Sequence, residues 1–116
     1  MSITTTEYGA FEYAFDDFNR ELFEGELPPC LITLQRKGRT LGYYSPHRFR
    51  HRTSREFTDE IALNQAQFEG RSDLEILSTL VHEMVHLYQR LRGNPGRGRY
   101  HNREWADYMI DRGLVP

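Results

Sequence analysis

Ser78-Thr79-Leu80-Val81-His82-Glu83-Met84-Val85-His86-Leu87-Tyr88 sets two histidines four residues apart, with a glutamate directly after the first. On an α-helix, positions i and i+4 share a face, with Cβ atoms about 5–6 Å apart. Two neutral imidazoles so placed can grip one divalent metal, at the metal–nitrogen distance of about 2.0–2.1 Å usual for zinc. Glu83 stands one residue round the helix, displaced from such a metal, where a carboxylate can take a proton from water instead of ligating. Leu74, Leu77, Val81, Met84, Val85 and Tyr88 recur at spacings of three and four, as an amphipathic helix requires. Ser72, three residues before Glu75, fits a capping box at its start. Average residue usage yields this pattern by chance in about one chain of this length in a few hundred. The bland alternative is a helix whose histidines face solvent or satisfy core polar groups.

The 116 residues suit one domain, read here as residues 1–116, with a modest core. An apolar content of 38% with plentiful aromatics predicts a folded globule rather than disorder. The lone cysteine, Cys30, excludes an intrachain disulfide framework and any structural zinc held by several thiolates of this chain. No apolar run reaches the length of a membrane span, and Met1-Ser2-Ile3-Thr4-Thr5-Thr6 lacks a signal-peptide profile. A cytoplasmic protein is expected, with no membrane partner and with the monomer as its state.

A net charge of −2 argues against indiscriminate nucleic-acid binding, but the charges are segregated. Acids crowd the first helix, whereas Arg36 to Arg55 holds Arg36, Lys37, Arg39, Arg48, Arg50, Arg52 and Arg55 without one acid. A second acid-free run carries Arg90, Arg92, Arg97, Arg99 and Arg103. Guanidinium forks suit phosphate oxygens and stack on flat rings, so the bias fits a phosphate-bearing partner. It fits a solvated arginine-rich loop equally.

In chain order, a first helix is expected from near Thr6, capped by Thr4 with Glu7 and striped by Tyr8, Phe11, Phe15, Phe18 and Leu22. Gly25 ends it, and Pro28-Pro29 prevents its resumption. Cys30 to Gln35 alternates as a strand, and Lys37-Gly38 turns the chain into a second strand near Thr40–Tyr44. Ser45 to Glu56 reads as a basic loop opened by Pro46, and Asp59–Leu63 as a third strand closed by Asn64. Gln65 to Gly70 is a turn or short helix. The histidine helix should run to Leu91 or Arg92, where Gly93-Asn94-Pro95-Gly96-Arg97-Gly98 breaks it. A last helix, about Asn102 to Asp111, presents Trp105, Tyr108 and Met109 on one face.

A catalytic zinc usually takes three protein ligands plus water. The candidates for the third are His47, His51, His101 and Glu104. From His86 to Leu91 the helix climbs only about 8 Å at 1.5 Å per residue. The glycine-rich segment can return that distance at up to about 3.5 Å per residue, which favours His101 at the start of a helix packed antiparallel. Glu104, one turn on, is the alternative ligand, or a carboxylate that orients a histidine. His47 and His51 sit in the basic loop, where phosphate contact or exposure is favoured.

At this point the chain resembles the SprT-like (Spartan-type) zinc metalloproteases over nearly its whole length. Phe18-Asn19-Arg20-Glu21-Leu22-Phe23-Glu24-Gly25-Glu26-Leu27-Pro28 is similar to the family's opening helix and exit. Thr40-Leu41-Gly42-Tyr43-Tyr44 is similar to its strand after the first hairpin, and Glu60-Ile61-Ala62-Leu63-Asn64 to its strand before the active helix. Leu80-Val81-His82-Glu83-Met84-Val85-His86 matches the metal helix, and His101-Asn102-Arg103-Glu104-Trp105 the third-ligand segment. The resemblance implies His82, His86 and His101 as ligands of one zinc ion per chain and Glu83 as the catalytic carboxylate. It also implies a small zincin-like α+β domain of three helices and a three-stranded antiparallel or mixed sheet.

The function so implied is a zinc-dependent metalloendopeptidase, with DNA-dependent cleavage of DNA-bound or DNA-crosslinked proteins as its extension. A nucleoid- or nucleus-associated location would follow. Many relatives continue into a cysteine-rich zinc ribbon, whereas this chain stops at Pro116. Candidate oxyanion donors are Tyr43, Tyr44, Tyr88 and Tyr100. The Asp59–Leu63 strand is expected to offer a free edge to a substrate segment. Two alternatives stay open: a non-catalytic zinc-containing module that binds DNA or a partner, and a DNA-independent protease with a specific protein target.

Overall fold

Helix α1 (Thr5–Leu22) opens a computed structural model that describes residues 5–36, 38–50, 57–92 and 103–115, the side chains of 5–8, 47–50 and 57 excepted. Its Phe11, Ala14, Phe15, Phe18 and Leu22 turn toward the core, with Phe15 itself buried. The helix stops where Glu24 (φ 55°) and Gly25 (φ 73°) enter the left-handed region. There the Gly25 amide donates back to the Asn19 carbonyl at 2.9 Å, which also accepts from the Phe23 amide at 3.0 Å, closing the helix end. The Asn19 side chain then clamps the exit, accepting from the Leu27 amide at 3.0 Å and donating to the Leu27 carbonyl at 3.1 Å.

Three strands follow: β1 (Leu31–Gln35), β2 (Gly42–Arg50) and β3 (Phe57–Asn64). They form a mixed sheet in the order β1-β3-β2. β3 pairs parallel with β1, Ile32 opposite Ile61, and antiparallel with β2, Tyr44 opposite Ile61. The expected α+β architecture is therefore what forms, but three expectations about the sheet are corrected. β1 and β2 are not a hairpin, because β3 lies between them. β3 is the central strand, so it offers no free edge. Half of the expected basic loop is strand, since β2 runs through Pro46 to Arg50, closing on Phe57. Proline cannot donate to a ladder, and β2 tolerates it because, among the described residues, it is an edge strand irregular between Ser45 and Phe49.

A short 3₁₀ turn (Gln65–Gln67) leads from β3 to α2 (Asp73–Arg92). Asn64 organises this corner: its Nδ2 donates to the Thr40 carbonyl at 2.8 Å and its Oδ1 accepts from the Ala66 amide at 3.1 Å. The capping box exists, with Ser72 Oγ accepting from the Glu75 amide at 3.2 Å and Glu75 Oε1 accepting from the Ser72 amide at 3.3 Å. Leu80, Val81, Met84, Val85 and Leu87 of α2 are all buried. At about 1.5–3 kcal/mol per buried apolar side chain, this packing outweighs the weak helix propensity of the two valines. α2 lies so close to the sheet at Gly42 that an added Cβ would meet the Ala62 carbonyl at 2.7 Å and Thr79 Cγ2 at 3.2 Å.

The last helix, α3 (Arg103–Asp111), packs Trp105 and Met109 into the core shared by α1, α2 and the sheet. Its ring contacts pass from His82 and His86 at Trp105 to Tyr88 at Tyr108. Thus α3 crosses α2 instead of running antiparallel back along it. No helix among the described residues is long and apolar enough to cross a membrane.

Candidate metal centre

α2 holds His82 and His86 one turn apart, about 40° from each other around the axis at 100° per residue. Both are half-buried, as is Glu83, while the neighbouring Val81, Met84 and Val85 are buried and anchor the helix beneath them. Trp105 forms a wall against the pair. Its indole stacks on His86 with centroids 5.2 Å apart and planes 26° apart, and meets His82 edge-on at 5.7 Å and 86°. Beside it, Glu104 Oε1 accepts from Gln89 Nε2 at 2.9 Å, one turn beyond His86.

Two neighbouring imidazoles with an adjacent carboxylate form a donor set that suits a borderline divalent ion such as zinc. Among the described residues no group of three His, Cys, Asp or Glu side chains converges as a metal cluster. The expected third ligand, His101, lies outside the described residues, as does His51, and the side chain of His47 is not described. What the structure brings to the histidines is the first turn of α3, which carries Trp105, four residues after His101 in sequence.

The candidate tyrosines separate. Tyr88 is roughly 160° around α2 from His86 at 100° per residue, packed with Phe23, Tyr108 and the Arg112 guanidinium. Tyr44 is buried, and its hydroxyl donates to Asp59 Oδ2 at 2.5 Å. Burial first, and then that bond, raise the Tyr44 phenol well above its ordinary range, so it stays protonated and committed to Asp59. Tyr43 pairs with Ala62 and points to the opposite sheet face from Tyr44. Tyr100 lies outside the described residues.

Among the described residues, the candidate basic positions fall on separate elements. Arg36 lines a cavity of about 390 Å³ at the start of α2, together with Arg71, Glu69 and Asp73. Arg39 is exposed in the β1–β2 connection. Arg48 and Arg50 belong to β2, while Lys37, Arg52, Arg55, Arg97 and Arg99 lie outside the described residues.

Sequence reasoning missed Gln89 and the contact of Trp105 with both imidazoles. Gln89 is only 1% exposed, yet in the sequence it reads as one more polar residue near a helix end. The only available signal was its spacing of three from His86.

Fold and site together define an α+β domain built on a buried helix that presents two imidazoles and a carboxylate beside an indole. The sequence matches the SprT-like family over residues 11–112, and the chain belongs to that family. It is also similar to a Salmonella typhimurium protein described as an uncharacterized protein in the mucB 3′ region. The two are 53% identical over 58 residues, a match that covers 50% of this chain and 78% of the relative.

Proposed function

We propose that the chain is a zinc-dependent endopeptidase acting on protein substrates. The observation that carries this reading is the pair of half-buried imidazoles one turn apart on α2, with Glu83 between them and the first turn of α3 packed against both. His82, His86 and His101 would hold the ion. Zinc, when bound, supplies the Lewis acidity that lowers the pKa of water to about 7 and polarises a carbonyl. Glu83 takes the proton of the attacking water on its carboxylate and returns it to the departing amine. His82 and His86 would act as lone-pair donors to the ion, and Trp105, stacked on one face of His86, shields that side of the ring from bulk water.

The substrate segment is expected along β2 rather than β3. Among the described residues β2 is an edge strand, and it is the strand against which α2 chiefly packs. An extended peptide there can use main-chain hydrogen bonds for affinity. A dependence on single-stranded DNA is part of the proposal, supported by the acid-free run whose Arg48 and Arg50 lie on that same edge strand.

The test is Glu83→Gln in zinc-loaded protein, incubated with a DNA-bound protein substrate with and without DNA. Cleavage should vanish while zinc stoichiometry, read by atomic absorption, stays at one per chain. Full cleavage by the variant refutes the role of Glu83. Cleavage by the unaltered protein that is indifferent to DNA removes the DNA clause and leaves the peptidase.

A further inference from the structure

We propose that Trp105 is the positioning residue of the two imidazoles, locked in place by the Gln89–Glu104 hydrogen bond, so that the ligand pair is built before any metal arrives. This rests on the metal-centre reading above. A histidine on a helix has a soft, roughly two-fold χ2, so two half-exposed imidazoles without a wall would sample several ring orientations. Here one rigid ring touches both. The indole lies 26° from the His86 plane and 86° from the His82 plane, so the two imidazole planes differ by at least the 60° separating those angles.

Trp105 is itself immobilised, at 1% exposure within the main core. Its neighbour Glu104 is tied to α2 through Gln89, whose amide is equally buried. The first turn of α3 therefore reaches α2 through two contacts, an indole on the histidines and a carboxylate one turn beyond. Glu104 acts in this arrangement as an acceptor that seats the indole, not as a metal ligand. An amide can replace a carboxylate as the acceptor for Gln89 Nε2. It replaces an anionic ligand poorly.

The experiment uses the full chain with Trp105→Leu, Trp105→Phe, Glu104→Ala and Glu104→Gln. Zinc affinity is read by competition with a chromophoric chelator, and the imidazole signals of the metal-free protein by NMR, with circular dichroism confirming the fold. Trp105→Leu and Glu104→Ala should lose about 10- to 100-fold in zinc affinity, the range typical for groups that orient ligands. In the metal-free state their His82 and His86 signals should move toward those of freely rotating histidine. Trp105→Phe, which keeps a ring, should lose less, and Glu104→Gln should bind zinc as the unaltered protein does.

A folded Trp105→Leu protein with unaltered affinity and imidazole signals overturns the proposal. Glu104→Gln as weak as Glu104→Ala overturns its second half by making the carboxylate a ligand. The two readings fail separately. If the unaltered protein binds no zinc, yet its imidazoles hold one orientation that Trp105→Leu abolishes, the metal centre falls and the positioning stands.

Discussion

Cys30 shows how a single side chain couples the sheet to pH. It is the only cysteine of the chain, and its Sγ donates to the Asp59 carbonyl at 3.3 Å. Burial, followed by the charge of Asp59, pushes the thiol from an ordinary 9.0 up to about 12. A folded pKa above the unfolded one means that the folded chain holds the proton more tightly. The corresponding stability is fully present below about pH 9 and is lost as pH rises toward about 12. Tyr44, raised by burial and its bond to Asp59, has the same sign. Urea unfolding between about pH 8 and pH 11 should therefore show stability falling, with a shallower slope in Cys30→Ala. An identical slope in that variant would remove Cys30 from the account.

At the scale of elements, β2 carries the next prediction. Its run through Pro46 to Arg50 places Arg48 and Arg50 in an ordered edge strand instead of a loop. If these two arginines contact phosphates of single-stranded DNA, each contact contributes about −0.7 to the slope of log affinity against log salt. The double variant Arg48→Ala/Arg50→Ala should bind oligonucleotide more weakly in fluorescence anisotropy and flatten that slope by about 1.4. An unchanged slope would place the DNA contact elsewhere or nowhere. The same strand shows what sequence could and could not supply. α1, β1, α2 and α3 were legible because helix periodicity, strand alternation, caps and glycine stops are local. The insertion of β3 between β1 and β2 was not, since order in a sheet is a choice among distant partners. Nor was the second half of β2, which exists because Phe49 and Arg50 find Thr58 and Phe57 opposite them. The site divides in the same way. That His82 and His86 share a helix with Glu83 could be read from i and i+4 spacing, whereas the contacts of Trp105 and Gln89 arise only from where α3 meets α2.

For the whole molecule, Arg112 is the joint between all three helices. Its Nε donates to the Leu22 carbonyl at the end of α1 at 2.9 Å, and its Nη1 to the Tyr108 carbonyl at 3.1 Å. The guanidinium lies 4.2 Å from the Tyr88 ring centroid on α2 and 4.9 Å from that of Phe23. Arg112→Met keeps much of the stem's apolar contact but loses both hydrogen bonds and the cation–π attraction, leaving a helix-end carbonyl without this donor. The expected cost is about 2–3 kcal/mol in urea unfolding. Arg112→Lys should recover only part of it, because an ammonium lacks the planar fork. Zinc affinity should stay unchanged in both variants. The imidazoles are held from the first turn of α3 through Trp105 and Glu104, whereas Arg112 acts beyond its last turn, and distant sites without shared partners add independently. A variant of normal stability whose zinc affinity had nevertheless collapsed would show that the two ends of α3 are coupled, and would move Arg112 from the scaffold into the support of the metal centre.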